Sequence, residues 1–342
     1  MRYLINKLVF LVNGLFAFLL AMSCFVPQIP VTHFPFLSIL SLMVPLLVLT
    51  NVIFFCYWLL LGSRNLWMSA IVLGIGYLVM GTFFRFQPSE EPISKGEISI
   101  MSFNARGFNR SGMISDKTIS TQIVALVKAE DPDIVCFQEF DYTKKKSADF
   151  NAYKYSFIDY EYGHKKVVLA IYSKFPILNN GSLDFPESAN SAIYADVVTQ
   201  KDTVRVYNLH LESHKVIPSV RRLSDEPKAR LYKRMSRSFA KQQEQAAIFN
   251  AHRNATPYKK IVSGDFNNTQ FSNVYQVIKD DMQDSFLEQG SGYGRTYNFK
   301  YYPVRIDFIF LDKAFEVKAH KNFDVKLSDH FPLMASFNIG AQ

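Results

Sequence analysis

Ser263-Gly264-Asp265-Phe266-Asn267 follows directly on the apolar pair Ile261-Val262, and Ser328-Asp329-His330 stands just beyond Val325 and Leu327 near the C-terminus. In each case an apolar, strand-like run ends in short polar side chains. Carboxylate, amide and imidazole groups would therefore converge where buried strands stop, which is where a phosphate-cleaving site can be built. Alone, Gly-Asp-x-Asn also suits an ordinary turn, because Asp and Asn bond their own backbone.

Further runs of the same design lie upstream and between the two. Ser99-Ile100-Met101-Ser102-Phe103-Asn104 ends in an amide, Asp133 to Gln138-Glu139 ends in a carboxylate, and Val204 to Asn208-Leu209-His210 ends in imidazole. Val304-Arg305-Ile306-Asp307-Phe308-Ile309-Phe310 carries a carboxylate within apolar residues. This order resembles the endonuclease/exonuclease/phosphatase superfamily, which takes in DNase I-like nucleases, abasic-site endonucleases, inositol polyphosphate phosphatases and neutral sphingomyelinases. The resemblance covers roughly residues 97 to 339. It implies an α/β fold, a four-layer α/β/β/α sandwich of two facing sheets with helices outside and an active site at one edge.

The chemistry of phosphoester cleavage needs a hard cation, help in activating water, and charge neutralisation at phosphorus. Glu139 offers the oxygen ligand that magnesium prefers, and Asn104 can add a carbonyl oxygen. The resemblance assigns metal binding to these positions, with Asp329 assisting; Mg2+ or Mn2+ is expected, and Ca2+ is compatible. Asp265 and Asn267 stand two apart and so share one side of an extended segment, where they can flank one water. By resemblance they orient or deprotonate it. Asp307, between apolar neighbours, needs a partner if buried; the family pairs it with the histidine matching His330, and an ordinary structural hydrogen bond is the alternative. His210 matches members with Asn-x-His-Leu, where imidazole contacts the scissile phosphate and can protonate the leaving group. Abasic-site endonucleases differ here, so the match favours the other branches. Arg106, Asn208, Arg221 and Arg222 are candidate contacts to substrate phosphate, although Asn208 and Ser328 also suit loop ordering. His164, His214, His252 and His320 belong to no motif and read as surface or structural residues.

Periodicity predicts strands near 97–103, 133–138, 167–173, 192–199, 203–210, 260–264, 305–311 and 331–338, with helices over 117–130 and 229–253. Such alternation makes a mixed sheet covered by helices. Cys136 sits alone in an apolar run and reads as a core residue; no disulfide is available within residues 98–342.

Residues 1–84 contain no Asp or Glu and only Arg2, Lys7 and Arg64 as basic residues. Apolar runs at 8–26, 36–61 and 66–84 read as three transmembrane helices, each long enough for a hydrocarbon layer of about 30 Å. A cleaved signal peptide is the alternative for the first. Arg2 and Lys7 precede the first span, Arg64 follows the second, and 27–35 lacks Lys and Arg, so the positive-inside rule puts the N-terminus in the cytoplasm. Three crossings of a cytoplasmic (inner) membrane then place the catalytic domain, 98–342, on the extracytoplasmic side. Residues 85–97, with two prolines and three glutamates, read as a short linker.

Of the 38 basic residues, 35 lie beyond residue 84 against 30 acidic ones, a net of +5, too mild to demand a polyanionic partner. Residues 214–241 concentrate nine of them, a stretch that suits phosphates of nucleic acid, anionic lipid headgroups, or plain solvation. The expected function is a membrane-anchored, divalent-metal-dependent phosphoesterase acting on phosphodiesters, nuclease-like. A phospholipid or sphingolipid phosphodiesterase and a catalytically inactive scaffold are the alternatives. The expected partners are the bilayer and a phosphodiester substrate; no obligate protein partner is inferred.

Overall fold

The computed structural model describes residues 2–31, 34–81, 84–86, 96–146, 148–160, 166–215, 227–299 and 302–339. The chain forms two compact units. One comprises Met1–Phe83, Ser219–Gln243 and Asn268–Val277; the other comprises Phe84–Pro218, Glu244–Asn267 and Ile278–Gln342.

In the first unit, α1 (Arg2–Ser23), α2 (Pro35–Leu60) and α3 (Leu66–Met80) pack on one another. Their polar residues face inward: the Asn13 amide donates to Ser69 Oγ at 2.8 Å, the Trp58 indole donates to Asn13 Oδ1 at 2.9 Å, and Asn51 donates to the Phe16 and Leu47 carbonyls. Leu8, Phe18, Ile53 and Leu78 are exposed on the outside. Polar inside and apolar outside is the arrangement that hydrocarbon favours and water penalises.

Two of the helical segments, Arg2–Gln28 and Leu37–Leu60, are long and apolar enough to cross a membrane. The third expected span is shorter than 66–84: α3 has 15 residues, about 22 Å at 1.5 Å per residue, which is less than the hydrocarbon thickness. Gly81, with φ 76°, takes a conformation that ends the helix. Asn13 meets Ser69 and Ser23 meets Met80, so α3 runs parallel to α1 and both end at the same level. α2 returns antiparallel, its Tyr57 hydroxyl donating to Asn6 Oδ1 at 2.8 Å.

The second unit is built on two six-stranded sheets. The first has the order β13-β14-β1-β2-β4-β3, where β1 is Ile98–Asn104, β2 Ile134–Gln138, β3 Tyr155–Asp159, β4 Leu169–Ser173, β13 Phe315–Asn322 and β14 Leu333–Ile339. The second has the order β5-β6-β7-β8-β12-β9, from β5 (Ile177–Asp184), β6 (Ser191–Val198), β7 (Thr203–His210), β8 (Lys259–Asp265), β9 (Gln283–Asp284) and β12 (Asp307–Leu311). A two-stranded ribbon joins β10 (Tyr297–Phe299) to β11 (Tyr302–Val304).

Ile100, Ile134, Cys136 and Ile171 from one sheet meet Ile193, Val206, Ile261 and Ile309 from the other in the central core. The outer face of the first sheet, with Met101, Val135 and Phe137, packs on Ile123 and Val127 of α4 (Ile119–Glu130). Outside the second, Tyr207 meets Phe249 and His252 of the long α5 (Lys228–Asn254). These are the four expected layers, α/β/β/α. Short helices α6 (Asn273–Lys279) and α7 (Ser285–Gln289) complete the set.

Strands β3, β5, β9, β10, β11 and β13 escape the sequence reading. β5 is an edge strand whose Asn179-Asn180-Gly181 is too polar to read as one. Residue 85 is not a free linker position: Arg85 pairs its backbone with Gly292 and donates to the Glu288 carbonyl. Most of the expected linker lies outside the described residues. Burial pushes the Cys136 thiol up to about 12, which makes it an inert core group.

Candidate active site

Because strand side chains alternate, every second residue of the central strands faces the gap between the sheets. Along β1 this inward series reads Ile100, Ser102, Asn104; along β2, Ile134, Cys136, Gln138. It reads Val206, Asn208, His210 on β7 and Ile261, Ser263, Asp265 on β8. On antiparallel β12 it runs the other way, Leu311, Ile309, Asp307. All five series pass from apolar to polar toward one edge. Register completes the convergence, with Asp307 opposite Asp265 and His210 beside Asp265.

Gly264 makes this fit sterically possible. Its φ is 140°, and a Cβ there would lie 2.0 Å from the Leu209 carbonyl oxygen. No other residue tolerates both the conformation and the approach.

Asp265 is the hub. Its Oδ2 accepts from Asn104 Nδ2 at 3.0 Å and Asn267 Nδ2 at 3.3 Å, and lies 3.5 Å from His210 Nε2 and 3.6 Å from His330 Nε2. Its Oδ1 accepts from the Asn267 backbone N–H at 2.8 Å. Asn104 also donates to Glu139 Oε1 at 3.3 Å. Glu139 and Asn267 both have φ of 50°, left-handed positions that cost a residue with a Cβ roughly 1–2 kcal/mol and cluster at functional sites.

His330 Nδ1 lies 2.9 Å from Asp307 Oδ2, and both groups are almost completely buried. Burial alone would lower the His330 pKa, but the charges of Asp307 and Asp265 and the Asp307 hydrogen bond raise it to about 9. Burial raises the Asp307 carboxyl, against the pull of His330. The two carboxylates thus favour the protonated imidazole. Asp265, Asp307 and His330 offer donor atoms within 4.8 Å of one another, close enough for one cation, although this proton already serves Asp307. Asn104 and Glu139, with oxygen donors beside an excess of carboxylate, fit a hard cation chemically.

Other expected site residues fall differently. Asp329 is ion-paired with Arg106, so each offsets the other at the rim. Asn208 departs from the expected phosphate contact: both amide hydrogens go to the Phe137 and Ala170 carbonyls, and its Oδ1 accepts from Gln138 at 2.7 Å. It ties the two sheets together and has no donor left for a ligand. Arg221 and Arg222 lie outside the described residues, as does His164. His214 and His320 are buried and burial lowers both to about 4; they are structural.

Two residues of the site escaped the sequence reading. Thr296 Oγ1 accepts from the Ile306 and Asp307 backbone N–H groups, and the Tyr297 ring packs on His330 with centroids 4.8 Å apart. Local pattern around Ser291 to Asn298 marks only a Gly-containing loop. An isolated bridge between Tyr297 and His330 brings them to the site, and that pairing is non-local.

Comparison with known proteins agrees with this architecture. The sequence profile of the Endonuclease/Exonuclease/phosphatase family matches residues 101–330, and the chain belongs to that family of phosphoester hydrolases. Residues 6–83 match a second family, described as a domain of unknown function (DUF8431). No curated protein matches. Among solved structures, D. rerio TDP2 complexed with single-strand DNA product is similar at TM-score 0.54 and 18% identity, over 71% of this chain and 100% of that one. The human Nocturnin catalytic domain with bound sulfate scores 0.55 at 16% identity, covering 75% and 98%. A Bacteroides thetaiotaomicron mannosyl-6-phosphatase scores 0.51 at 18%, covering 70% and 99%. At these identities the likeness is one of fold.

Proposed function

We propose that this chain is a membrane-anchored, divalent-metal-dependent phosphodiesterase that cleaves by in-line attack of water, with nucleic acid as its first substrate class. The observation that carries this reading is the convergence of Asn104, Glu139, His210, Asp265, Asn267, Asp307 and His330 at one edge of the two sheets. Glu139 and Asn104, assisted by Asp329, would hold Mg2+ or Mn2+; bound there, the cation would supply charge neutralisation at the phosphoryl oxygens. Asn267 and Asp265 orient the attacking water, and the Asp265 carboxylate takes its proton. Imidazolium at His330, held by Asp307, donates to a phosphoryl oxygen as negative charge builds up. His210, on the far side of Asp265, is placed to protonate the leaving oxygen.

A DNA product is bound by one structural neighbour, which supports nucleic acid as substrate. A lipid phosphodiester is the second reading, favoured by the apolar exterior of the helical bundle. That exterior also supports anchoring, and the equal level of the α1 and α3 C-termini supports an odd number of crossings with α3 completing the third. The chain then leaves the membrane on the side where α1 ends, extracytoplasmic if Arg2, Lys7 and Arg64 stay inside. A degenerate scaffold would be expected to have lost members of the set, which is filled.

The test is turnover by the full-length protein in detergent, with Mg2+ or with EDTA, on single-stranded DNA, on phospholipid vesicles and on a simple aryl phosphodiester. EDTA-sensitive DNA cleavage is expected. Lipid turnover without DNA cleavage would transfer the assignment to the second reading, and no EDTA-sensitive hydrolysis of any substrate would remove the enzyme.

A further inference from the structure

The first compact unit is not made of helices α1 to α3 alone. It includes Ser219–Gln243 and Asn268–Val277, and the second of these begins at the residue after Asn267. The contacts inside the unit are specific and buried. Thr269 Oγ1 donates to the Ser41 carbonyl at 2.9 Å, and Asn273 Nδ2 donates to the Pro27 carbonyl at 2.7 Å. Asn268 Nδ2 donates to Gln242 Oε1 at 2.8 Å, while its Oδ1 accepts from the Thr269 N–H at 2.9 Å and lies 3.5 Å from Ser41 Oγ. Gln243 Oε1 accepts from the Val31 N–H at 3.3 Å. Ser41 and Gln242 are fully buried, and Asn268 and Thr269 nearly so.

We infer that Ser41, Gln242, Asn268 and Thr269 form a clasp that fixes the chain immediately after Asn267, and so act as positioning residues for the catalytic loop that ends there. Asn267 sits at φ 50°, a conformation that an unrestrained chain leaves readily. Its side chain serves Asp265, and its C-terminal neighbour Asn268 meets Ser41 of α2 and Gln242 of α5. Fixing Asn268 on both sides removes the freedom through which Asn267 would relax. The clasp also suits an anchored protein. α2 has 26 residues, about 39 Å long and so about 9 Å longer than the hydrocarbon layer. The segment from Pro35 to Ser41 accounts for about that excess at 1.5 Å per residue, so the clasp stands at the N-terminal end of α2.

The inference rests on the proposed hydrolytic activity for its kinetic arm only, so a second readout is independent of turnover. The full-length protein in detergent is compared with Thr269→Val, Thr269→Ser and Ser41→Leu by hydrogen exchange across residues 263–268 and by steady-state kinetics with Mg2+ on the substrate that the wild type cleaves. Thr269→Val loses the donor while keeping the shape, and Ser41→Leu wedges the clasp from the α2 side. Both are expected to speed exchange at Asp265–Asn268 and to lower kcat about 10- to 100-fold with KM little changed, a size in keeping with small displacements of catalytic groups. Thr269→Ser restores the hydroxyl and is expected to restore both readouts. Folded Thr269→Val with wild-type exchange at 265–268 would overturn the clasp whether or not the protein is an enzyme. Accelerated exchange with unchanged kcat would overturn the positioning role while leaving the phosphodiesterase assignment intact. A wild type without turnover would sink that assignment and leave the exchange result to decide the clasp.

Discussion

Two buried imidazoles, His330 and His320, show how surroundings divide one residue type into chemistry and structure. His330 has a carboxylate on Nδ1 and a second near Nε2, so it holds its proton. His320 has neutral partners, Ser285 Oγ at 2.9 Å and Asn322 Oδ1 at 3.1 Å, and burial lowers it from 6.5 to about 4. The unfolded chain therefore binds the proton first as pH falls. Stability from His320 is complete above pH 6.5 and declines by about 3 kcal/mol down to pH 4, at about 1.4 kcal/mol per pH unit. Thermal unfolding of His320→Gln, followed from pH 7.5 to 4, should show a flatter acid limb than wild type; an unchanged limb would exclude this group as its source. For the catalytic pair, Asp307→Asn and His330→Ala are expected to be non-additive, the double variant being about as slow as the worse single one, because each partner loses its value without the other. Multiplicative losses in single-turnover assays would separate them. Glu139→Gln should keep the fold and raise the Mg2+ needed for half-maximal rate by at least about tenfold, in line with removal of a charged ligand. Wild-type turnover at limiting Mg2+ would remove Glu139 from the cation site.

At the scale of the element, the central strands β1, β2, β7, β8 and β12 are both core and catalytic scaffold. Period-two alternation, visible in the sequence, sends Ile100, Ser102 and Asn104 to one face and Met101 and Phe103 to the other. The sequence therefore made Asn104, Asp265 and His210 legible as strand-end groups. It did not reveal the strut role of Asn208, since that depends on the carbonyls of Phe137 and Ala170 arriving from the other sheet. Gly264→Ala tests the closest approach of β7 and β8. With φ at 140° and the Leu209 oxygen in the way, the variant is expected to lose at least about 3 kcal/mol, from strain and overpacking together. In a domain of this size that lowers the melting temperature by about 6–12 °C. A melting point within 2 °C of wild type, a limit set at roughly the shift for half a kcal/mol or more, would show that the strands part easily.

For the whole molecule, the parallel course of α1 and α3 makes a directional prediction. With both ending at the level of Ser23 and Met80, the proposed three crossings put the catalytic domain on the extracytoplasmic side. A single cysteine introduced at exposed Lys326, in a variant with Cys24, Cys56 and Cys136 replaced by Ala or Ser, should react in intact cells with a membrane-impermeant maleimide. Protection there, with labelling only after the cells are opened, would reverse the proposed orientation.

The sequence by itself determined the family, the order of the polar strand ends and the apolar N-terminal segment without acidic residues, because these follow from residue type and short spacing. Helix ends and edge strands were less legible: α3 stops at Gly81, and β5 alternates too weakly to read. Only the tertiary structure decided that Arg106 and Asp329 neutralise each other, that Thr296 and Tyr297 belong beside Asp307 and His330, and that Ser41 meets Asn268 across 227 positions. The physical reason is the same in each case. A side chain's partner across the fold is chosen by packing and hydrogen-bond satisfaction in three dimensions, and nothing local in the chain encodes which distant group will fill that place.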